Sequence, residues 1–177
     1  MLITPLATPA SEDTTNSLID LLTNCVEAGA SIGFLSPLSR ADALAYWLKV
    51  LGDVPNGNRV ILIARETSTG PIIGSAQIAF ESRANGRHRA EVQKVMVLTT
   101  HRRRGLAAEL MDQVEAAARA RAVRLLFLDT SDGPGGARRF YDALGYSYVG
   151  GIPGYALDPD GSEWPNAIYY KRLAPAP

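Results

Sequence analysis

The feature that most constrains this chain is a basic turn, Arg102-Arg103-Arg104-Gly105-Leu106-Ala107, set between two patterned runs. Ala90 to Leu98 before it reads as a strand, and Ala107 to Arg119 after it reads as a helix. Leu106, Leu110, Met111, Val114, Ala117 and Ala118 recur at helical spacing, so one face of that helix is buried. The first N–H groups of a helix have no internal acceptors and point out of its end. Gly105 leaves room for an oxygen to approach the backbone, and the arginines add positive charge. A strand, such a turn and a helix start predict an anion site, with a phosphate-bearing cofactor as its guest.

That cluster stands out because the chain as a whole is balanced: 18 Lys and Arg against 18 Asp and Glu in 177 residues. Net neutrality argues against a general nucleic-acid binder and makes the arginine turn a local site rather than part of a basic coat. The length predicts one soluble domain, residues 1–173, burying roughly 70% of the unfolded chain's surface. The start, Met1-Leu2-Ile3-Thr4-Pro5, lacks the basic-then-apolar pattern of a signal peptide, and no apolar run spans a bilayer, so the expected compartment is the cytoplasm, with no membrane partner. The single Cys25 sits in an apolar helical context and reads as filler. His88 and His101 read as separate surface residues, and no metal site is expected. Asp158-Pro159-Asp160-Gly161 lacks the later ligands of a calcium loop and reads as a β-turn.

Along the chain, a first helix is predicted over Ser17 to Ala28, stopping near Gly29, and a second after Ser39 as N-cap, running to Gly52. Arg59 to Arg65, Ile72 to Glu81 and the run ending at Leu98 are joined by short turns, predicting an antiparallel meander. The long helix then leads to the apolar strand Arg124 to Asp129, a βαβ crossover whose two strands lie parallel. A short helix through Ala137, Phe140, Tyr141 and Leu144 ends at Gly145. Tyr146 to Gly150 and Ala167 to Leu173 close as strands, and residues 174–177 form a fraying tail.

A meander, a strand, a basic glycine turn, a long helix, a strand and a short helix in this order resemble the GNAT acetyltransferase superfamily. The family's Gln/Arg-x-x-Gly-x-Gly/Ala loop is matched by Arg102, Gly105 and Ala107. Its second signature is matched by Phe140-Tyr141-Asp142-Ala143-Leu144-Gly145-Tyr146. The resemblance implies a mixed α/β (α+β) fold: a mostly antiparallel sheet whose central parallel strand pair is splayed for the cofactor, with helices on its flanks. It implies acetyl-CoA as cosubstrate, held by Val95, Met96, Val97, Arg102, Arg103, Arg104, Gly105, Leu106, Ala107 and Ala108. The chain departs from the family at Ser131-Asp132-Gly133-Pro134-Gly135-Gly136, where many members carry an Asn that steadies the pantetheine arm. Gly151 to Tyr155, Asp158 to Gly161 and Ala167 to Lys171, together with Glu91 to Lys94 and Ser31 to Phe34, are similar to the tabtoxin-resistance branch, whose members acetylate a small amine-bearing toxin. Phe34, Glu91 and Tyr155 are then the implied acceptor contacts.

Acetyl transfer from a thioester to an amine sets three demands. The amine must be neutral, which at pH 7 costs about 4.6 kcal/mol for a lysine-like amine and about 1 for an α-amine. The oxyanion needs a donor, which a backbone N–H near Met96 and Val97 can supply. The leaving thiolate benefits from a proton. The resemblance assigns that proton to Tyr141, whose alternative is a place in the core with Phe140 and Leu144. Asp129 and Glu91 are the candidate bases. Asp129 ends an apolar strand where α/β sheets place ligands, or else caps the following loop. Glu91 shares a strand face with Gln93 and Val95 by alternation, or else pairs with Arg89. The acceptor is expected to be a small-molecule amine. A protein N-terminus or lysine, and a non-catalytic acyl-CoA sensor, remain the alternatives, and the chain is either a monomer or a homodimer.

Overall fold

The computed structural model describes residues 1–133 and 137–174. Nine strands and four helices are described: β1 (Leu2–Pro5), α1 (Glu12–Glu27), α2 (Arg40–Gly52), β2 (Arg59–Arg65), β3 (Ile72–Phe80), β4 (Arg89–Val97), α3 (Leu106–Ala120), β5 (Leu125–Ser131), α4 (Arg138–Ala143), β6 (Ser147–Gly150), β7 (Ala156–Leu157), β8 (Glu163–Trp164) and β9 (Asn166–Arg172). Seven strands form one sheet in the order β1-β2-β3-β4-β5-β9-β6, and β7 pairs β8 in a separate ribbon. Every neighbour in the large sheet is antiparallel except β4 and β5, which run parallel across the α3 crossover. The fold is the mixed, mostly antiparallel one that the sequence implies.

Alternation along the strands divides the apolar residues between two cores. Leu62 and Ala64 of β2 face one way with Ala76 and Ile78 of β3, meeting Leu106, Leu110, Met111 and Val114 of α3. Ile61 and Ile63 face the other way, meeting Leu18, Leu22 and Cys25 of α1 and Trp47 of α2. Gly74 sets how closely α3 approaches: a Cβ there would stand 3.1 to 3.2 Å from Met96 O and from methyls of Leu106 and Leu110. The start of α3 is thereby pressed onto β3 beside the end of β4.

Helix α1 begins at Glu12, five residues before the predicted Ser17. Ser11 caps it by accepting from Thr14 N, and Glu12 and Asp13 favour the helix start, but this first turn is polar and adds nothing to the apolar repeat. Ser17 instead accepts a hydrogen bond from Ile72 N at 2.7 Å. Helix α2 is capped by Ser39 as predicted. The edge strand β1 and the two-residue strands β7 and β8 are too short to show any alternation. Between β7 and β8 the Asp158–Gly161 stretch is the predicted turn, with Gly161 N donating to Asp158 O. Of the predicted tail, residue 174 is exposed and residues 175–177 lie outside the described residues. Among the described residues no helix is long and apolar enough to cross a membrane.

Candidate active site

The two parallel strands stay together for only three pairs: Arg89 with Leu125, Ala90 with Leu126 and Glu91 with Phe127. Beyond Glu91 the strands part, while β4 keeps its partner β3 and β5 keeps its partner β9. A wedge therefore opens between β4 and β5, edged on the β4 side by backbone groups that have lost their ladder. Such groups need acceptors and donors from elsewhere, and an amide-bearing ligand arm fits that need.

The basic turn closes the wide end of the wedge. A single 3₁₀ turn, Thr99–His101, leads into it. Asn24 at the end of α1 pins that turn, accepting from Thr99 N at 3.0 Å and donating to Thr99 Oγ1 at 3.3 Å. Arg102 folds its Nε back onto Val97 O at 3.2 Å, a carbonyl that Cys25 Sγ also approaches at 3.5 Å. Burial pushes the Cys25 thiol up, so it stays protonated and acts as filler. Arg103 and Arg104 are exposed, and Arg103 has φ 61°.

Gly105 caps α3 with φ 84° and no side-chain cap. Its carbonyl takes the amides of Ala108 and Glu109. Among the described residues the amides of Gly105, Leu106 and Ala107 find no acceptor in the chain. A Cβ at Gly105 would meet no protein atom within 4 Å, so the space in front of these amides is open. These free amides, the open approach and the exposed arginines fit a pyrophosphate. The Ala108 amide donates to Gly105 O at 2.9 Å, and the Leu106 side chain is 1% exposed in the core.

One correction concerns β4. The β3–β4 register runs from Gln77–Gln93 directly to Ser75–Met96, so Lys94 and Val95 together oppose one β3 residue. Lys94 takes φ 50° at this bulge. The bulge reverses the alternation: Val95 and Val97 pack with Val92 against the α3 core, while Met96 joins the α1–α2 core. Val95 therefore does not share a face with Gln93, as simple alternation predicts.

Around the wedge the candidate catalytic groups gather. Asp129 lies on β5 two residues past the last β4 pairing and is exposed, with Oδ2 3.4 Å from Asn166 Nδ2. It is not the last strand residue, because β5 continues to Ser131. Tyr141 on α4 is 7% exposed, packed edge-on to Phe140 and Tyr146 and tilted against Tyr169. Burial, reinforced by the negative charge of Asp129, pushes its phenol up to about 12. It is both a core residue and a protonated hydroxyl on which the charge of a carboxylate acts. Glu91 stands at the last parallel pair, and its expected rival partner Arg89 binds Glu81 instead at 3.0 Å.

Lys94 escapes sequence reasoning, as do Arg59, Asn24 and Asn166. The bulge turns its side chain toward the connection before α2, with Nζ 5.8 Å from the Phe34 ring centroid and 5.7 Å from that of Tyr46. Burial lowers its pKa, Asp129 and Glu91 raise it, and Arg59 lowers it again. Phe34 thus lies against this ammonium, and the charges of Asp129 and Glu91 act on it. Tyr155 stands 53% exposed just before β7. The family's Asn position falls near Pro134, and residues 134–136 lie outside the described residues. Among the described residues no group of three or more His, Cys, Asp or Glu forms a metal centre.

The model of the acetyltransferase (GNAT) family matches residues 26–146, from the end of α1 to the Tyr146 that follows α4. The chain belongs to the GNAT acetyltransferase family. It is therefore a transferase, whose family-level reaction carries an acetyl group from acetyl-CoA to nitrogen. It is 34% identical over 119 residues to an uncharacterized N-acetyltransferase of the hisH-hisA intergenic region in Azospirillum brasilense, covering 66% of this chain and 68% of that protein. Its fold is similar to that of a ribosomal-protein-alanine N-acetyltransferase from Brucella melitensis, with TM-score 0.79 at 20% identity over 98% of this chain and 100% of that one. It is also similar to yncA of Salmonella typhimurium, solved with its cofactor acetyl-CoA, with TM-score 0.75 at 16% identity over 100% of this chain and 97% of that one.

Proposed function

We propose that this N-acetyltransferase acetylates the primary amine of a small molecule by direct attack, with Tyr141 as general acid and a carboxylate, Asp129 or Glu91, as base. One arrangement carries the reading. Asp129 lies on β5 two residues past the last β4 pair, where the fork opens, and its charge favours the protonated forms of both the Tyr141 phenol and the Lys94 amine. A proton donor and a proton acceptor thus serve one wedge.

Acetyl-CoA supplies the activated acetyl group as a thioester. The amides of Gly105, Leu106 and Ala107, with Arg103 and Arg104, hold its pyrophosphate, and the opened edge of β4 from Val95 to Val97 receives its amide-bearing arm. A backbone N–H on that edge stabilises the oxyanion. Tyr141 stays protonated across the working pH range and delivers its proton to the departing sulfur. Asp129 or Glu91 takes the ammonium proton, directly or through water. The acceptor class follows the tabtoxin-resistance resemblance: a small amine-bearing toxin or antibiotic.

Release of free thiol from acetyl-CoA, followed against small amines, peptide N-termini and lysine peptides, tests this reading. Thiol release with an N-acetylated small amine is expected. Turnover confined to peptides would move the acceptor to proteins, and acetyl-CoA binding without any thiol release would make the chain a sensor.

A further inference from the structure

Lys94 is a charged side chain at the wedge that the proposed chemistry does not use. Its backbone takes φ 50°, a left-handed conformation that a lysine keeps only where its surroundings enforce it. The result is an ammonium directed against the connection before α2. Its Nζ lies near the rings of Phe34 and Tyr46, and a Cβ at Gly33 would stand 3.4 Å from it. Among the described residues Nζ makes no hydrogen bond and no ion pair within 4 Å.

Its cationic neighbour is committed. Arg59 Nη1 donates to Gln77 Oε1 at 2.8 Å and to Gln93 Oε1 at 2.7 Å, and its Nε lies 3.5 Å from Asp53. Tyr46 and Gln77 complete that network through their own hydrogen bond. The Lys94 ammonium, with three donors, is left facing the π-faces of two rings, and the Tyr46 hydroxyl is engaged with Gln77. Glu91 and Asp129 lie close enough for their charges to act on it without forming an ion pair. The acceptor side of the wedge thus presents separated charges of both signs beside an apolar wall.

We propose that Lys94 binds a carboxylate on the acceptor, so that the substrate is an amino acid or amino-acid-like molecule carrying both a primary amine and a carboxylate. The carboxylate meets the Lys94 ammonium, the amine turns to Glu91 and Asp129, and Phe34 and Tyr46 line the carbon skeleton between them. This deepens the small-amine reading and rests on it. The recognition is charge-assisted hydrogen bonding, the strongest kind available to a lysine.

The test compares amino acids with their own carboxamides as acceptors, by thiol release at saturating acetyl-CoA. Blocking the carboxylate lowers the amine's basicity, so chemistry alone favours the carboxamide. A preference of wild type for the free acid, expected at about tenfold or more in kcat/KM, is therefore a binding effect. Lys94→Gln should raise KM for the acids by a similar factor and bring the acid-to-amide ratio toward one, while Lys94→Arg should retain most of the preference. The wild-type ratio stands even if a variant fails to fold. Equal use of acids and carboxamides by wild type overturns the inference while leaving small-amine acetylation intact, as does an undiminished preference in folded Lys94→Gln. Silence of every small amine, acid or amide, removes the underlying reading and this inference with it.

Discussion

At Tyr141, packing and chemistry make opposite demands on one side chain, and a single atom separates them. Tyr141→Phe keeps the ring among Phe140, Tyr146 and Tyr169 and removes a hydroxyl that makes no hydrogen bond among the described residues. The expected outcome is a nearly unchanged melting temperature with turnover reduced by about a hundredfold. Wild-type turnover under chemistry-limited conditions would leave Tyr141 as core alone. The carboxylates divide by pH. Asp129→Asn and Glu91→Gln keep shape and abolish basicity. The variant that removes the base should lose activity at neutral pH and recover part of it in alkali, where more amine is neutral. Asp129 is the stronger candidate, because its charge acts on both Tyr141 and Lys94. Matching profiles for both variants and wild type from pH 6 to 9 would make these carboxylates structural. The Tyr141 and Asp129 candidates are legible in the sequence because motif and strand pattern surround them. Lys94 is not, since its direction depends on one bulge.

At the scale of elements, the βαβ crossover is the most legible part of the chain and the bulge the least. Apolar residues fall at Ala90 and Val92 and then at Val95 and Val97, so the parity changes between them. That change is the one sequence signal of the bulge, and strict alternation reads past it. The start of α1 is hidden for a different reason: a polar, capped first turn adds no apolar periodicity. Strand β1 pairs through its backbone at an edge, so its side chains carry little pattern. The turn into α3 is legible in place, but the structure adds a second reason for its glycine. Gly105 has φ 84°. Gly105→Val strains that backbone and puts bulk before the free amides, so coenzyme A affinity by calorimetry should fall by more than about tenfold with the circular dichroism spectrum kept. Gly105→Asn, which tolerates the left-handed region, isolates crowding from backbone strain. Unchanged affinity in the Val variant would place the phosphates elsewhere.

At the scale of the molecule, two cores on opposite faces of one sheet hold the wedge open, and an ion cluster ties its far side together. Glu115 of α3, 7% exposed, receives Lys171 Nζ of β9 at 2.5 Å and Arg119 Nη2 at 2.9 Å, while Lys171 also donates to Leu144 O just beyond α4. Only the carboxylate is buried; Lys171 and Arg119 reach solvent and can be hydrated when it is removed. Glu115→Ala should cost about 1–2 kcal/mol, or roughly 2–8 °C in melting temperature for a chain of this size, by thermal denaturation. Because α3, α4 and β9 carry the two sides of the site, the loss belongs to the whole fold rather than to one residue.

Every role proposed here requires acetyl-CoA to enter the fork between β4 and β5 with its thioester beside Tyr141. In a crystal structure with coenzyme A and an amine acceptor bound, the pyrophosphate is expected on the amides of Gly105, Leu106 and Ala107, the sulfur within hydrogen-bonding distance of the Tyr141 hydroxyl, and the amine toward Asp129 and Glu91. A cofactor bound away from the fork, or a sulfur out of reach of Tyr141, would contradict it.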